Sequence, residues 1–366
     1  MEKQQKFIVI GLMSGSSLDG LDIACCEFNK SDDSVTGYKI INAETISYPN
    51  ALRKRLEHAL YFNKDELKVL DIDLGNWIGQ ATAAFINTLH EKPNLIASHG
   101  HTIFHKPEEG LTLQIGNGNI IHEIAGLPVV YDFRTLDVKL GGQGAPLVPV
   151  GDQILFNDYE FCLNLGGIAN VSFNEKGDRK AFDICAFNIV FNHLASQRGK
   201  AYDENGRIAA SGKLIPRLNA ALVAIDYYKM PYPKSVGREW VEEEVLPVLA
   251  SYQEQTENVM HTYALHTAEV IANVFNTITK QEFTGKKCRV LVTGGGAYNE
   301  FSIAETQKRC ATNIELVVPD KSLVEYKEAL IFALMGLLRS HNQINCLKSV
   351  TGAERDTSSG RIAGSF

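Results

Sequence analysis

Two stretches of this chain, about 150 residues apart, have the same build. Residues 7–28 read FIVIGLMSGSSLDGLDIACCEF: an apolar run, a turn rich in Gly and Ser, and a second apolar run. Residues 161–173 read FCLNLGGIANVSF: a strand, the pair Gly166-Gly167, and another strand. Each reads as two strands joined by a glycine turn. Such a turn leaves backbone N–H groups unpaired and lets a ligand approach the main chain, which suits a phosphate. A hairpin of this type at the start of both halves is what a duplicated nucleotide-binding fold would produce. In the first turn, Asp19 is an oxygen donor of the kind that hard divalent cations prefer. Taken alone, the same stretch is equally an ordinary hairpin with a solvated Asp.

Between and after these hairpins, strands and helices alternate. Residues 51–60 and 67–89 have helical spacing, 95–98 form a short strand, 111–118 a strand and turn, and 128–132 another strand. Residues 263–278 place Leu265, Ala268, Ala272 and Phe275 on one helical face, which is core by default. The strand at 289–293 runs into Gly294, Gly295 and Gly296, and the carboxyl end of a strand is where open α/β sheets bind ligands. Residues 328–338 form an apolar helix, and the small, polar tail 349–366 reads as partly mobile. The length of 366 residues suits two domains. The glycine-rich segment 140–146 marks the crossover, which assigns 1–136 with 339–366 to one domain and 137–338 to the other.

The net charge of −7, without a basic block, argues against nucleic acid or an anionic membrane as the main partner. The seven cysteines are odd in number, contain no CxxC and lie mostly in apolar runs, which fits a reducing cytoplasm. The apolar run after residue 6 is too short for a signal peptide, and no stretch approaches a membrane span. No GxxxxGK[ST] is present, and the glycine triplet meets Asn299 where GxGxxG needs its last Gly. HExxH is absent, as is a GxSxG between a strand and a helix. The alternating His99, His101 and His105 suggest zinc by spacing, but with no Cys nearby a polar contact or a packed loop is the better reading.

The chain resembles the anhydro-N-acetylmuramic acid kinases. The resemblance rests on residues 13–22 (MSGSSLDGLD), 98–100 (SHG), 132–134 (DFR), 141–147 (GGQGAPL), 164–170 (NLGGIAN), 293–296 (TGGG) and 349–353 (SVTGA), in the family's order and over nearly the whole chain. It implies an α/β fold of two actin-like (ribonuclease H-like) domains, duplicated, with a central nucleotide cleft. It also implies an enzyme that uses ATP, Mg²⁺ and water to open a 1,6-anhydro amino sugar and phosphorylate the freed 6-oxygen, in murein recycling, and a homodimer. The alternatives are an actin-like kinase or ATPase for another small hydroxylated substrate, and a non-catalytic nucleotide-binding homologue.

The roles that the resemblance implies follow the chemistry. Asp183 is the base that activates water for attack at the anomeric carbon, as in inverting glycosidases. Gly11, Ser14, Gly15 and Ser16 cradle the terminal phosphates, with Asp19 near Mg²⁺. Gly166 and Gly167 form the second phosphate turn, and Gly294, Gly295 and Gly296 meet adenosine. His99, Arg134 and Glu328 face the sugar, Arg134 through a bidentate pair to the lactyl carboxylate. Arg134 is equally a candidate for a structural salt bridge. The chain departs from the family pattern after Asp183: the usual TGPGN is Ile184-Cys185-Ala186-Phe187-Asn188, with a bulky Phe187 in place of glycine and proline. The family usually has Gln at the position of His101, and Thr at that of Val236.

Overall fold

The computed structural model describes residues 4–15, 18–252 and 254–366. The chain divides into two compact units, Met1–Leu155 with Tyr326–Phe366, and Phe156–Glu325. In chain order the strands are β1 (Gln5–Ser14), β2 (Leu21–Ser31), β3 (Ser34–Ile46), β4 (Leu95–Lys106), β5 (Leu111–Ile115) and β6 (Val129–Tyr131). Then follow β7 (Phe161–Leu165), β8 (Ile168–Glu175), β9 (Asp178–Ala186), β10 (Cys288–Thr293), β11 (Ile314–Val317) and β12 (Arg361–Ala363).

The first sheet has the order β12-β6-β4-β1-β2-β3, with β5 on β4. The second has the order β11-β10-β7-β8-β9. In the first, β1, β4 and β6 run parallel while β2 and β3 are antiparallel additions. In the second, β7, β10 and β11 run parallel, with β8 and β9 added antiparallel. The same five-strand order and direction therefore occurs twice, which is the duplicated ribonuclease H-like, actin-like topology. The sequence marks β1, β2, β4, β5 and β6 of the first sheet and β7, β8 and β10 of the second; it does not mark β3, β9 or β11.

Helices cover these sheets for local reasons. The helix Lys64–Ile86 starts at a capping box, where Asn63 accepts from Asp65 and Glu66 N–H while Glu66 accepts from Asn63 N–H. It buries Leu70, Leu74 and Ile78 in the core of the first unit. The helix Thr256–Glu282 buries Met260, Tyr263, Ile271, Phe275 and Ile278 in the core of the second.

Two expectations are corrected here. The sequence-based boundary gave 137–155 and 326–338 to the second domain, but these residues belong to the first unit. The reason is the helix Lys321–Ser340. A Cβ on Gly11 of β1 would lie 1.8 Å from the Ala329 carbonyl oxygen, and one on Gly336 would lie 2.5 Å from Ala97 of β4. The helix thus lies directly on the first sheet, a contact its own periodicity cannot reveal. The tail is also ordered: β12 pairs antiparallel with β6, and the Ser359 hydroxyl donates to the Phe133 carbonyl at 2.6 Å.

Candidate active site

The first unit gathers its candidate residues at the carboxyl ends of its parallel strands. Gly11 is buried within β1, and its missing side chain leaves room for the helix backbone at Ala329. Ser14 ends β1 and is also buried. Its hydroxyl accepts from the Tyr48 hydroxyl at 2.5 Å and meets His101 Nδ1 at 2.9 Å. A serine that accepts from tyrosine still has its proton and a second lone pair with which to meet His101. Burial lowers His101 to about 4, which keeps the ring neutral near pH 7. Beyond Ser14, Leu18 N–H donates to the Gly15 carbonyl at 3.3 Å, and Leu18 itself has φ 57°. Asp19 is exposed in this turn. Ser16 lies outside the described residues.

His99 and Arg134 are hydrogen-bonded, and Glu328 feels the charge of Arg134. The His99 ring is buried, donates from Nδ1 to the Gly100 carbonyl at 2.9 Å, and accepts at Nε2 from Arg134 Nε at 3.1 Å and Nη2 at 2.9 Å. Burial and the charge of Arg134 hold His99 well below the usual histidine range, which the accepting Nε2 requires. Arg134 Nη1 donates to the Gly144 carbonyl at 2.8 Å. Three of the five guanidinium donors are thus taken, leaving two for a ligand. Arg134 is lowered to about 10 by burial and stays charged at neutral pH. Burial raises Glu328, against the attraction of Lys327 and Arg134. The three histidines do not share a metal: His99 and His101 serve separate networks, because Gly100 at φ 71° breaks the alternation between them. Among the described residues no group of three or more His, Cys, Asp or Glu could hold a metal ion.

In the second unit, Asp183 lies on β9 at half burial. Its Oδ2 accepts from the Ser235 hydroxyl at 2.8 Å and from Val236 N–H at 3.0 Å. Burial raises the carboxyl above its ordinary range, and these two bonds oppose the rise. Because the bond from position 236 comes from the backbone, Val can stand there in place of Thr. The loop after Asp183 is held by carbonyls: Tyr227 donates to the Asp183 carbonyl at 2.7 Å, and Tyr263 to that of Ala186 at 2.8 Å. Tyr48, Tyr227, Ser235 and Tyr263 escaped sequence reading because each partner is 34 to 77 residues away, or 52 for Ser235.

The second turn and the glycine triplet also meet. Gly166 and Gly167 carbonyls accept from Asn188 N–H at 3.1 Å and Phe187 N–H at 2.8 Å, at the start of the helix Asn188–Ser196. Gly294 has φ 81°, and a Cβ there would lie 2.5 Å from Asn164 Oδ1. Gly295 is exposed. A Cβ on Gly296 would lie 2.5 Å from the Phe187 ring, so the unusual Phe187 fills the space over this glycine. A recess of about 470 Å³ opens next to the triplet, lined by Ala297, Tyr298, Ile303 and Leu316 among others.

A model of the family described as "AnmK: Anhydro-N-acetylmuramic acid kinase" matches residues 7–364. The chain belongs to the anhydro-N-acetylmuramic acid kinase family. A relative of that name from Actinobacillus pleuropneumoniae serotype 7 (strain AP76) is 33% identical over 379 residues, covering 98% of this chain and 99% of the relative. One from Pseudomonas fluorescens (strain Pf0-1) is 38% identical over 372 residues, covering 95% and 96%. One from Bacillus cereus (strain AH187) is 31% identical over 382 residues, covering 97% and 98%. Among the described residues no helix of this family member is long and apolar enough to cross a membrane.

Proposed function

We propose that this chain is an ATP-dependent anhydro-N-acetylmuramic acid kinase. Family membership over residues 7–364 carries the reading. Water adds at the anomeric carbon of the 1,6-anhydro sugar, the bond from that carbon to the 6-oxygen breaks, and the freed 6-oxygen takes the γ-phosphoryl group of ATP, leaving ADP. Asp183 is the base. With Oδ2 fixed by Ser235 and Val236, its other oxygen is the one to accept the proton of water. Its raised pKa makes it a stronger base than a solvated carboxylate.

Arg134 takes the lactyl carboxylate with its two remaining donors, and His99 is a positioning residue that aims it. Glu328 accepts from a sugar hydroxyl. The amides of Gly15, Gly166 and Gly167 receive phosphate oxygens, and Gly294, Gly295 and Gly296 meet adenosine. The exposed carboxylate of Asp19 beside a glycine turn fits Mg²⁺, which takes one or two carboxylates plus substrate phosphates. The metal would neutralise charge on those phosphates. We place the activity in the cytoplasm, as a homodimer; a single 40.4 kDa species in light scattering would overturn the dimer.

The test is ADP release with 1,6-anhydro-N-acetylmuramic acid. Asp183→Asn is expected to lose about 10²- to 10⁴-fold in kcat while still binding ATP. Unchanged release in the variant would move the base elsewhere; no release from the wild type would sink the kinase.

A further inference from the structure

The segment 164–170 (NLGGIAN) lends its glycines to the second turn, and the roles above leave its last residue, Asn170, unused. Asn170 lies on β8 of the second unit and pairs in register with Asp183 of β9. Paired residues of an antiparallel ladder project from the same face. The backbone of Asp183 fixes which kind of pair this is. Its N–H donates to the Lys234 carbonyl at 3.1 Å and its carbonyl accepts from the Tyr227 hydroxyl at 2.7 Å, so both groups point away from β8. Asn170 and Asp183 are therefore a non-hydrogen-bonded pair, the kind in which Cα atoms stand only about 4.5 Å apart and side chains come closest. The register shifts at this point: Ala169 pairs with Cys185, and Ile184 is left over. Such a bulge re-aims the side chains beside it and is frequent next to active sites.

Three polar side chains of β8 share this face: Asn170, Ser172 and Asn174. The buried Arg179 occupies two of them, donating to the Ser172 hydroxyl at 2.7 Å and to Asn174 Oδ1 at 3.4 Å. Among the described residues the half-buried Asn170 makes no side-chain hydrogen bond. Asparagine is depleted in strands, and β8 is interior, flanked by β7 and β9, so neither a turn nor a cap accounts for it. Asp183 is held at one oxygen only, Oδ2, by Ser235 and Val236. An uncommitted carboxamide thus stands beside the uncommitted oxygen of the base.

We infer that Asn170 is a second catalytic residue, which together with Asp183 holds the attacking water. The inference rests on the kinase reading. Water has two protons to place. Asp183 Oδ1 accepts one and the Asn170 carboxamide oxygen accepts the other, which leaves a lone pair of the water oxygen facing the anomeric carbon. As that oxygen bonds to the carbon, the first proton passes to Asp183. The bond from the carbon to the 6-oxygen breaks, and its electron pair stays on the 6-oxygen. The 6-oxygen then bonds to the γ-phosphorus, the bond from that phosphorus to the bridging oxygen breaks, and ADP leaves. The second proton remains on the new anomeric hydroxyl, and Asp183 returns its own to solvent.

The experiment is steady-state ADP release with 1,6-anhydro-N-acetylmuramic acid by wild type, Asn170→Ala, Asn170→Ser and Asn170→Asp. Asn170→Ala should lose about 10- to 100-fold in kcat, with KM for ATP and for the sugar within about twofold, because a misplaced water slows the attack without loosening either ligand. Asn170→Ser, which keeps an oxygen acceptor on a shorter arm, should recover part of that loss. Asn170→Asp keeps the size of the side chain and decides the matter if the smaller variants do not fold. It sets a second carboxylate beside the base, which should move the acid limb of kcat/KM to higher pH. A kcat within about twofold of wild type in Asn170→Ala overturns the inference, as does a loss that appears in KM for ATP as strongly as in kcat. An unmoved acid limb in Asn170→Asp overturns it too. A wild type that releases no ADP removes the kinase reading and this inference with it, whereas an active wild type beside an equally active Asn170→Ala removes the inference alone.

Discussion

Among the described residues, the buried bonds below the turn after β1 come from side chains, whereas those behind the turn after β7 come mainly from backbone. Below the first, Tyr48, Ser14 and His101 form a buried chain of hydroxyl and imidazole. Behind the second, the Gly166 and Gly167 carbonyls take N–H groups at the start of the helix Asn188–Ser196. The first turn carries a carboxylate, Asp19; the second carries no charged residue. The two sheets share an order and strand directions, so this difference is not dictated by topology. It shows that a duplicated fold repeats the position of a turn without repeating what holds it. One copy is then open to side-chain specialisation, and the other is constrained by the helix that follows.

That contrast can be attacked by substitution. The largest effect is expected at Asp19. Asp19→Asn should lower kcat/KM by about 100-fold, within the several kcal/mol that a metal supplies to charge stabilisation, and should raise the Mg²⁺ needed for half-maximal rate. An unchanged Mg²⁺ titration would remove the asymmetry in charge. Next, Ser14→Ala strands the Tyr48 hydroxyl and His101 Nδ1, and should cost about 1–3 kcal/mol in urea unfolding. Loss of less than about 0.5 kcal/mol would mean that the side-chain chain does not support its turn. The smallest stability effect is expected for Gly166→Ala. The nearest atom to an added Cβ is 3.3 Å away, so unfolding should shift by less than about 1 kcal/mol, while KM for ATP rises several-fold if the turn meets phosphate.

Acid offers a further probe of the first turn. His101 is lowered by burial from an ordinary value of 6.5 to about 4 in the folded protein. Between those values the unfolded chain binds a proton that the folded one does not. Stability from this site is therefore full above 6.5 and is lost as pH falls toward 4. His99 shifts in the same direction. His101→Gln should flatten the fall in urea midpoint between pH 7 and pH 5, and an equally steep fall in that variant would exclude His101 as its source.

Much of this was legible in the sequence, and unevenly. The glycine hairpins marked both sheets because a turn that leaves amides free has a local composition. His99, Arg134 and Glu328 could be grouped only through the family resemblance, and the structure does bring them together in one unit. Gly11 shows the limit of such reading. A glycine inside a strand means close approach of something, and the sequence cannot say whether that is a phosphate or the carbonyl of Ala329. The tyrosine hydroxyls beneath the Asp183 loop were invisible for another reason: they bind backbone carbonyls, which have no residue type to match.

Phe187 over Gly296 has a consequence for anyone exchanging parts between family members. The ring is 1% exposed, its edge meets Phe191 at a centroid distance of 4.9 Å, and Gly296 leaves it the room it occupies. The two positions form a lock of matched volumes. Grafting the glycine-and-proline loop of a relative onto this scaffold would leave a hollow the size of a phenyl ring under the graft. Chimeras here must therefore carry the aromatic bed of residues 187 and 191 as one module, or they inherit a loop without its floor.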